Sequence, residues 1–161
     1  MKRYYQSILI IGKKKFIEQT IKALNLIKRK SNKDFKKIIK YLKRIKSAKY
    51  SEMILDKAQF NVGNLTAFHS VEWYASTIIH DAHHYYLDKV VKFVWKYGNV
   101  TKHEKLCTKE QIRFLKKIKA PKDPVGYLKK ELKLKNIRGQ KIFINKCSCR
   151  DSNPGLSLFP P

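Results

Sequence analysis

A chain of 161 residues with 43% hydrophobic content is long enough for one domain with a real core and short for two. It carries 37 Lys and Arg against 12 Asp and Glu, a formal net charge of +25, yet no apolar run reaches the roughly 18 residues that a membrane span needs. The apolar stretch from Ser7 to Ile11 is also too short for the hydrophobic region of a signal peptide, so a cytoplasmic protein without a membrane partner is expected.

Three cysteines, Cys107, Cys147 and Cys149, make an odd count with two of them one residue apart, which implies no disulfide framework. The charge is uneven along the chain. Residues 1–49 hold 17 basic against 2 acidic side chains (+15), residues 50–100 hold 4 against 5 (−1), and residues 101–161 hold 16 against 5 (+11). Lysine outnumbers arginine and is spread over helical faces, the pattern of a solvated surface; few arginines are available for the bidentate contacts of specific base recognition. Nucleic acid is therefore expected at most as a non-specific partner.

From the N-terminus, Ser7-Ile8-Leu9-Ile10-Ile11, closed by Gly12, fits a buried strand or the start of a helix, and periodicity does not choose between them. Between Lys14 and Lys28, the residues Phe16, Ile17, Ile21, Leu24 and Ile27 recur at three and four, which predicts an amphipathic helix. Ser31, with Asp34 three residues later, can cap a second helix whose inward stripe reads Phe35, Ile38, Ile39, Leu42 and Ile45. From Tyr50 to Asn64 the spacing shortens around Ile54, Phe60 and Val62 and ends in Gly63-Asn64, which predicts one or two strands or an extended segment with a turn.

A helix starting near Ser70 holds the stretch on which function turns, His80-Asp81-Ala82-His83-His84. It is apolar on nearly every face, so it is expected inside the fold. Residues four apart on a helix stack one above the other, so His80 and His84 can turn two imidazoles toward one cation; a histidine nitrogen ligates Zn²⁺ at about 2 Å. Asp81, about 100° further round the helix, does not share the metal squarely with both histidines but can face a metal-bound water from the side, where a general base belongs. The bland alternative is a buried polar cluster satisfied by backbone or tyrosine hydroxyl groups.

The next helix is placed from about Thr101 to Lys119. Stepping about 100° per residue puts Cys107, Gln111, Phe114, Leu115 and Ile118 on the same side as Glu104, which therefore points inward, whereas Glu110 falls among the lysines. An inward carboxylate is costly unless a cation meets it. Glu104 is the third expected metal ligand, beside His80 and His84. His69, His83 and His103 are read as surface or supporting residues, and His83, His103, Tyr85 and Tyr86 as the candidates for stabilising an oxyanion. Ala120-Pro121-Lys122-Asp123-Pro124 closes this helix, Pro124 can open a last one through Leu134, and Lys141 to Ile144 can form a strand. Arg150-Asp151-Ser152-Asn153-Pro154-Gly155 is what the antisense of a transfer-RNA T-arm encodes, so the reading frame is expected to run into a tRNA gene and residues 147–161 to be a disordered tail. Cys147 and Cys149 are too close together to argue a second zinc site.

The HDxxH pattern resembles the HExxH helix of zinc metallopeptidases, with aspartate for glutamate. The resemblance is closest to short metallopeptidase-like domains that have a segment similar to Trp73-Tyr74-Ala75-Ser76-Thr77-Ile78-Ile79-His80-Asp81 and a downstream Glu-x-x-Cys-x-x-x-Gln helix, here Glu104, Cys107 and Gln111. It covers Tyr50 to Leu128 and implies a zincin-like α+β domain over residues 1–146, mainly helical, with a small sheet beside the metal-binding helix. It also implies a strand edge that offers itself to a peptide or protein substrate, hydrolysed with zinc on His80, His84 and Glu104 and with Asp81 as base. The aspartate arm is one methylene shorter, about 1.5 Å, a change that bears on catalysis more than on metal binding. Two other classes share features of the chain. The His80-Asp81 pair resembles that of HD-type phosphohydrolases, but His69, the one histidine upstream, lies 11 residues away, about 16 Å along a continuous helix. A non-enzymatic nucleic-acid-binding protein would use residues 14–46 and owe nothing to the histidines.

Overall fold

The apolar run before Gly12 is a strand. In the computed structural model, which describes residues 1–93 and 99–137, with side chains through residue 133, it forms β2 (Ile8–Ile11), paired antiparallel with β1 (Lys2–Tyr5) across the turn Gln6-Ser7. Ile8 and Ile10 are fully buried while Leu9 and Ile11 stay partly exposed, the alternation of a strand with one face on a core. Gly12 then turns the chain into helix α1 (Lys14–Lys30); a Cβ at this position would lie 2.5 Å from Phe16 Cδ1, so the close approach of ring and backbone requires glycine.

Helix α2 (Asn32–Tyr41) is shorter than its apolar stripe suggests. Ser31 precedes it without capping it: the hydroxyl donates to Asp34 Oδ2 at 2.6 Å and accepts no helix N–H, so the expected cap is corrected to a side-chain pair. Leu42 is already extended, and Ile45, expected in the helical stripe, belongs to β3 (Arg44–Ser47). There it is fully buried between β2 and the strand at Gln59–Val62, and this ladder pairing overrides the local helical spacing. Strand β4 (Glu52–Ile54), a 3₁₀ turn at Leu55–Lys57 and β5 (Gln59–Val62) occupy the segment where strands were expected.

The five strands form one mixed sheet in the order β1-β2-β3-β5-β4, with β2, β3 and β5 parallel and the two edge strands antiparallel to their neighbours. Ile8, Ile10, Ile45, Phe60 and Val62 turn one face of it toward the helices and share a core with α1, α2 and the central helix. The fold is α+β and mainly helical, with the small sheet beside a buried helix as expected. A short helix, α3 (Asn64–Phe68), was not foreseen.

Helix α4 (Val71–Tyr85) is the buried one. Ser70 caps it, accepting from the Trp73 N–H at 3.0 Å, and the helix packs against α1, α2, α3, β4, β5 and the following helix. Tyr74, fully buried, shares a hydrogen bond of 2.9 Å with Thr20 of α1, which closes the polar end of a large side chain placed in the core. At its C-terminal end α4 loosens into a π-helical turn, Tyr86–Val90, in which Val91 N–H donates to the Tyr86 carbonyl. Helix α5 (Val100–Lys117) then runs back along α4, and α6 (Lys122–Ile137) packs on α5 through Ile112, Leu115 and Leu128. Helix α6 begins two residues before Pro124, which sits in its first turn, where a missing N–H is tolerated.

The expected strand at Lys141 to Ile144, the pair Cys147 and Cys149, and the 147–161 tail lie outside the described residues. Among those residues no helix is long and apolar enough to cross a membrane.

Candidate metal centre

Helices α4 and α5 are antiparallel and in register. Gln111 Nε2 donates to Ser76 Oγ at 3.1 Å; eight residues along α4 and eight back along α5, His84 Nδ1 meets His103 Nδ1 at 3.3 Å. His80 and Cys107 stand halfway between. A repeat of four on both helices therefore brings one face of each together, and the titratable residues on those faces collect in one place.

At that place His80 Nε2 and His84 Nε2 are 3.0 Å apart. Glu104 lies across from them, with Oε2 at 3.5 Å from His80 Nε2 and Oε1 at 3.5 Å from His84 Nε2. Cys107, one turn along α5 from Glu104 and fully buried, completes a trio: one donor atom each of His80, His84 and Cys107 lies within 4.8 Å of the others, a cluster that can hold a metal ion. The distances fit a cation. Donor atoms held about 2.0–2.1 Å from a tetrahedral ion lie about 3.3–3.4 Å from one another, close to the 3.0 and 3.5 Å separations among His80, His84 and Glu104.

The electrostatics agree with that geometry. Burial pushes the His84 imidazole down to about 3, with Glu104 pulling the other way, so the ring is neutral at pH 7 and offers a lone pair. Its approach to Glu104 is accordingly not an ion pair. The Asp81 carboxyl is only 4% exposed, and Oδ1 has no hydrogen-bond partner among the described residues. Burial raises it to about 7, with His80 lowering and Glu104 raising it further. A carboxyl in this state, next to a would-be cation site, can either hold or accept a proton near neutral pH.

The other sequence candidates are spread around this cluster. His103 is fully buried, which removes the surface half of its surface-or-supporting reading. Periodicity on α5 missed it because what covers it is the segment after α4: the Phe93 ring lies parallel to the His103 ring to within 8° at 5.1 Å. His83 faces a small cavity with Lys37, Tyr41, Tyr86 and Glu110, and burial lowers its imidazole to about 4. Tyr85 and Tyr86 both pack on Tyr41 of α2, at 6.2 and 5.6 Å between centroids. Glu110 is only partly exposed and pairs with Arg113 at 2.9 Å. His69 lies against Trp73, with ring centroids 5.7 Å apart, two turns of helix before His80. Cys107 carried a signal in the sequence, its position on the inward face of α5 one turn after Glu104, but had not been read as a ligand. No family model, curated protein or solved structure matches the chain.

Proposed function

We propose that the chain is a zinc-dependent, metallopeptidase-like hydrolase with His80, His84 and Glu104 as its metal ligands and Asp81 as its general base. The observation that carries this reading is the convergence of two imidazole nitrogens and a carboxylate at 3.0 to 3.5 Å in a largely buried site. Three potential donor atoms so close together, away from bulk water, suit a cation. The donor set of nitrogen and oxygen, with a thiol beside it, suits zinc better than magnesium or calcium, which take oxygen ligands.

Zinc held there supplies a Lewis acid and lowers the pKa of a bound water toward 7. The protein's share is orientation and proton handling. Glu104 reaches across from α5 and both histidines reach from α4, so the register of the two helices fixes three donors at once. Asp81 accepts a proton as the nucleophile forms and returns it to the leaving amine, a task suited to a buried carboxyl on the turn that carries His80 and His84. Peptide as the substrate class is supported by β4, one of the two edge strands of the sheet, which packs next to α4 and among the described residues pairs on one side only, with β5, as a strand that adds an extended chain would.

Hydrolysis of a mixed peptide library with zinc supplied tests the reading, with the natural protein compared with Asp81→Glu and Asp81→Asn. Peptide cleavage that glutamate keeps or raises and asparagine abolishes is the expected result. Cleavage of nucleotide phosphoesters with manganese, and none of peptides, would transfer the site to HD-type phosphohydrolase chemistry. Retention of nucleic acid by a His80→Ala variant, with steep loss on adding salt and no hydrolysis by the natural protein, would favour a binding protein instead.

A further inference from the structure

His84 makes a second contact, on the side of its ring away from the cluster. Its Nδ1 meets His103 Nδ1 at 3.3 Å, and the two rings are parallel to within 6°. His103 in turn places Nε2 at 2.5 Å from the carbonyl oxygen of Phe93. A carbonyl oxygen only accepts, so the proton on this last bond belongs to His103 Nε2. In the form of His103 that carries a single N–H, that proton is then spent on the carbonyl and Nδ1 keeps a lone pair. The proton between the two Nδ1 atoms must then sit on His84, and His84 Nε2, facing His80 and Glu104, is left with its lone pair exposed.

We infer that His103 is a positioning residue of the metal centre: anchored on the Phe93 carbonyl, it holds His84 in the Nδ1–H tautomer and so presents His84 Nε2 to the cation. The inference rests on the zinc reading above and deepens it. Ligating histidines commonly donate the second ring N–H to an oxygen acceptor, which fixes the tautomer and makes the metal-facing nitrogen more basic. Here another imidazole takes that part, and the chain continues to a backbone carbonyl. The π-helical turn acquires a purpose from this. By ending α4 just after His84 it lets the chain fold back, with Phe93 N–H on the Leu87 carbonyl at 2.9 Å, and this brings the Phe93 carbonyl to His103. Full burial of His103 keeps water from competing for either of its hydrogen bonds.

The test is nitrogen-15 NMR of the histidine rings in the full-length chain stripped of metal with a chelator, together with zinc titration of the natural protein, His103→Phe and His103→Asn. Phenylalanine fills the space and removes the acceptor, whereas the asparagine amide oxygen can stand near the former Nδ1 and accept. The natural protein is expected to show His84 as the Nδ1–H and His103 as the Nε2–H tautomer. His103→Phe should shift His84 toward the Nε2–H form and weaken zinc binding about 10–100-fold, and His103→Asn should recover part of both. His84 found as Nε2–H in the natural protein would overturn the inference, and so would a His103→Phe variant with unchanged tautomer and zinc affinity. The tautomers are read without metal, so they decide whether His103 fixes the His84 tautomer separately from whether zinc binds, and failure of the two readings can be told apart. They decide it equally if His103→Phe does not fold.

Discussion

Gln111 and Ser76 set the register between the two helices that build the site: the Gln111 amide donates to the Ser76 hydroxyl at 3.1 Å, and that hydroxyl donates on to the Trp73 carbonyl at 2.7 Å. Both side chains are buried, and the pair lies one turn from His80 and Cys107. A slip of α5 against α4 would break this bond before it moved Glu104 away from the histidines.

Ser76→Ala leaves the Gln111 amide buried with its acceptor gone, so it should cost about 1–3 kcal/mol, measured by urea denaturation. Gln111→Met removes the donor at similar volume while Ser76 keeps its bond to Trp73, and should cost about 1 kcal/mol or less. In the double variant the two losses should fall short of their sum, because nothing buried is left unpaired.

Asp81 predicts a pH dependence in metal-stripped protein. Its folded-state value is raised from 3.8 to about 7, so the native state binds the extra proton, and the stability this confers is complete below about 4 and lost as pH rises through 7. His84, lowered from 6.5 to about 3, works the other way: its contribution is present above 6.5 and lost as pH falls toward 3. The two slopes oppose each other in the natural protein, so the comparison to make is with Asp81→Asn. Relative to the natural protein, this variant should gain stability between pH 4 and 7, by about a kcal/mol or more for each unit of pH. Saturating zinc should flatten the difference, since a nearby cation favours the ionised carboxyl. A difference that does not change with pH would mean that Asp81 is already ionised in the folded protein.

The periodic helices were legible in the sequence, and the register between them was not. The 3.6 period, the helix start near Ser70 and the turn of Glu104 toward the apolar side follow from local patterning, which is why the face carrying His80, His84 and Glu104 could be read. Strand β3 was missed because four residues, Arg44 to Ser47, hold one buried apolar side chain, Ile45, whose spacing from Leu42 also suits a helix. Its state was decided by β2 and β5, which are distant in sequence. Cys107 and His103 join the site for a similar reason. How near each comes to His80 or His84 depends on which turn of α5 faces which turn of α4 and, for His103, on a loop that folds back from the π-helical turn.

Cys107 decides whether the centre is closed or open. Its thiol shares the cluster with His80 and His84 within 4.8 Å, and four protein donors would saturate a tetrahedral ion, as in structural zinc sites. The hydrolase reading needs one position left to water. Cobalt substitution should therefore give a four-coordinate visible spectrum without a thiolate-to-metal charge-transfer band, and Cys107→Ser should lower metal affinity only a few-fold. A strong charge-transfer band that disappears in Cys107→Ser would make the centre a structural one and remove the case for hydrolysis.

The central claim is that α4 and α5 hold one metal ion between them, and the most direct test is the zinc content of the purified, dialysed protein and of its His80→Ala and His84→Ala variants. The account predicts close to one zinc per chain in the natural protein and next to none in either variant, since each removes one of three protein ligands from a site with few spare donors. Absence of zinc from the natural protein even after reconstitution, or one zinc per chain retained in the His80→Ala/His84→Ala double variant, would contradict it; the second result would direct attention to Cys147 and Cys149.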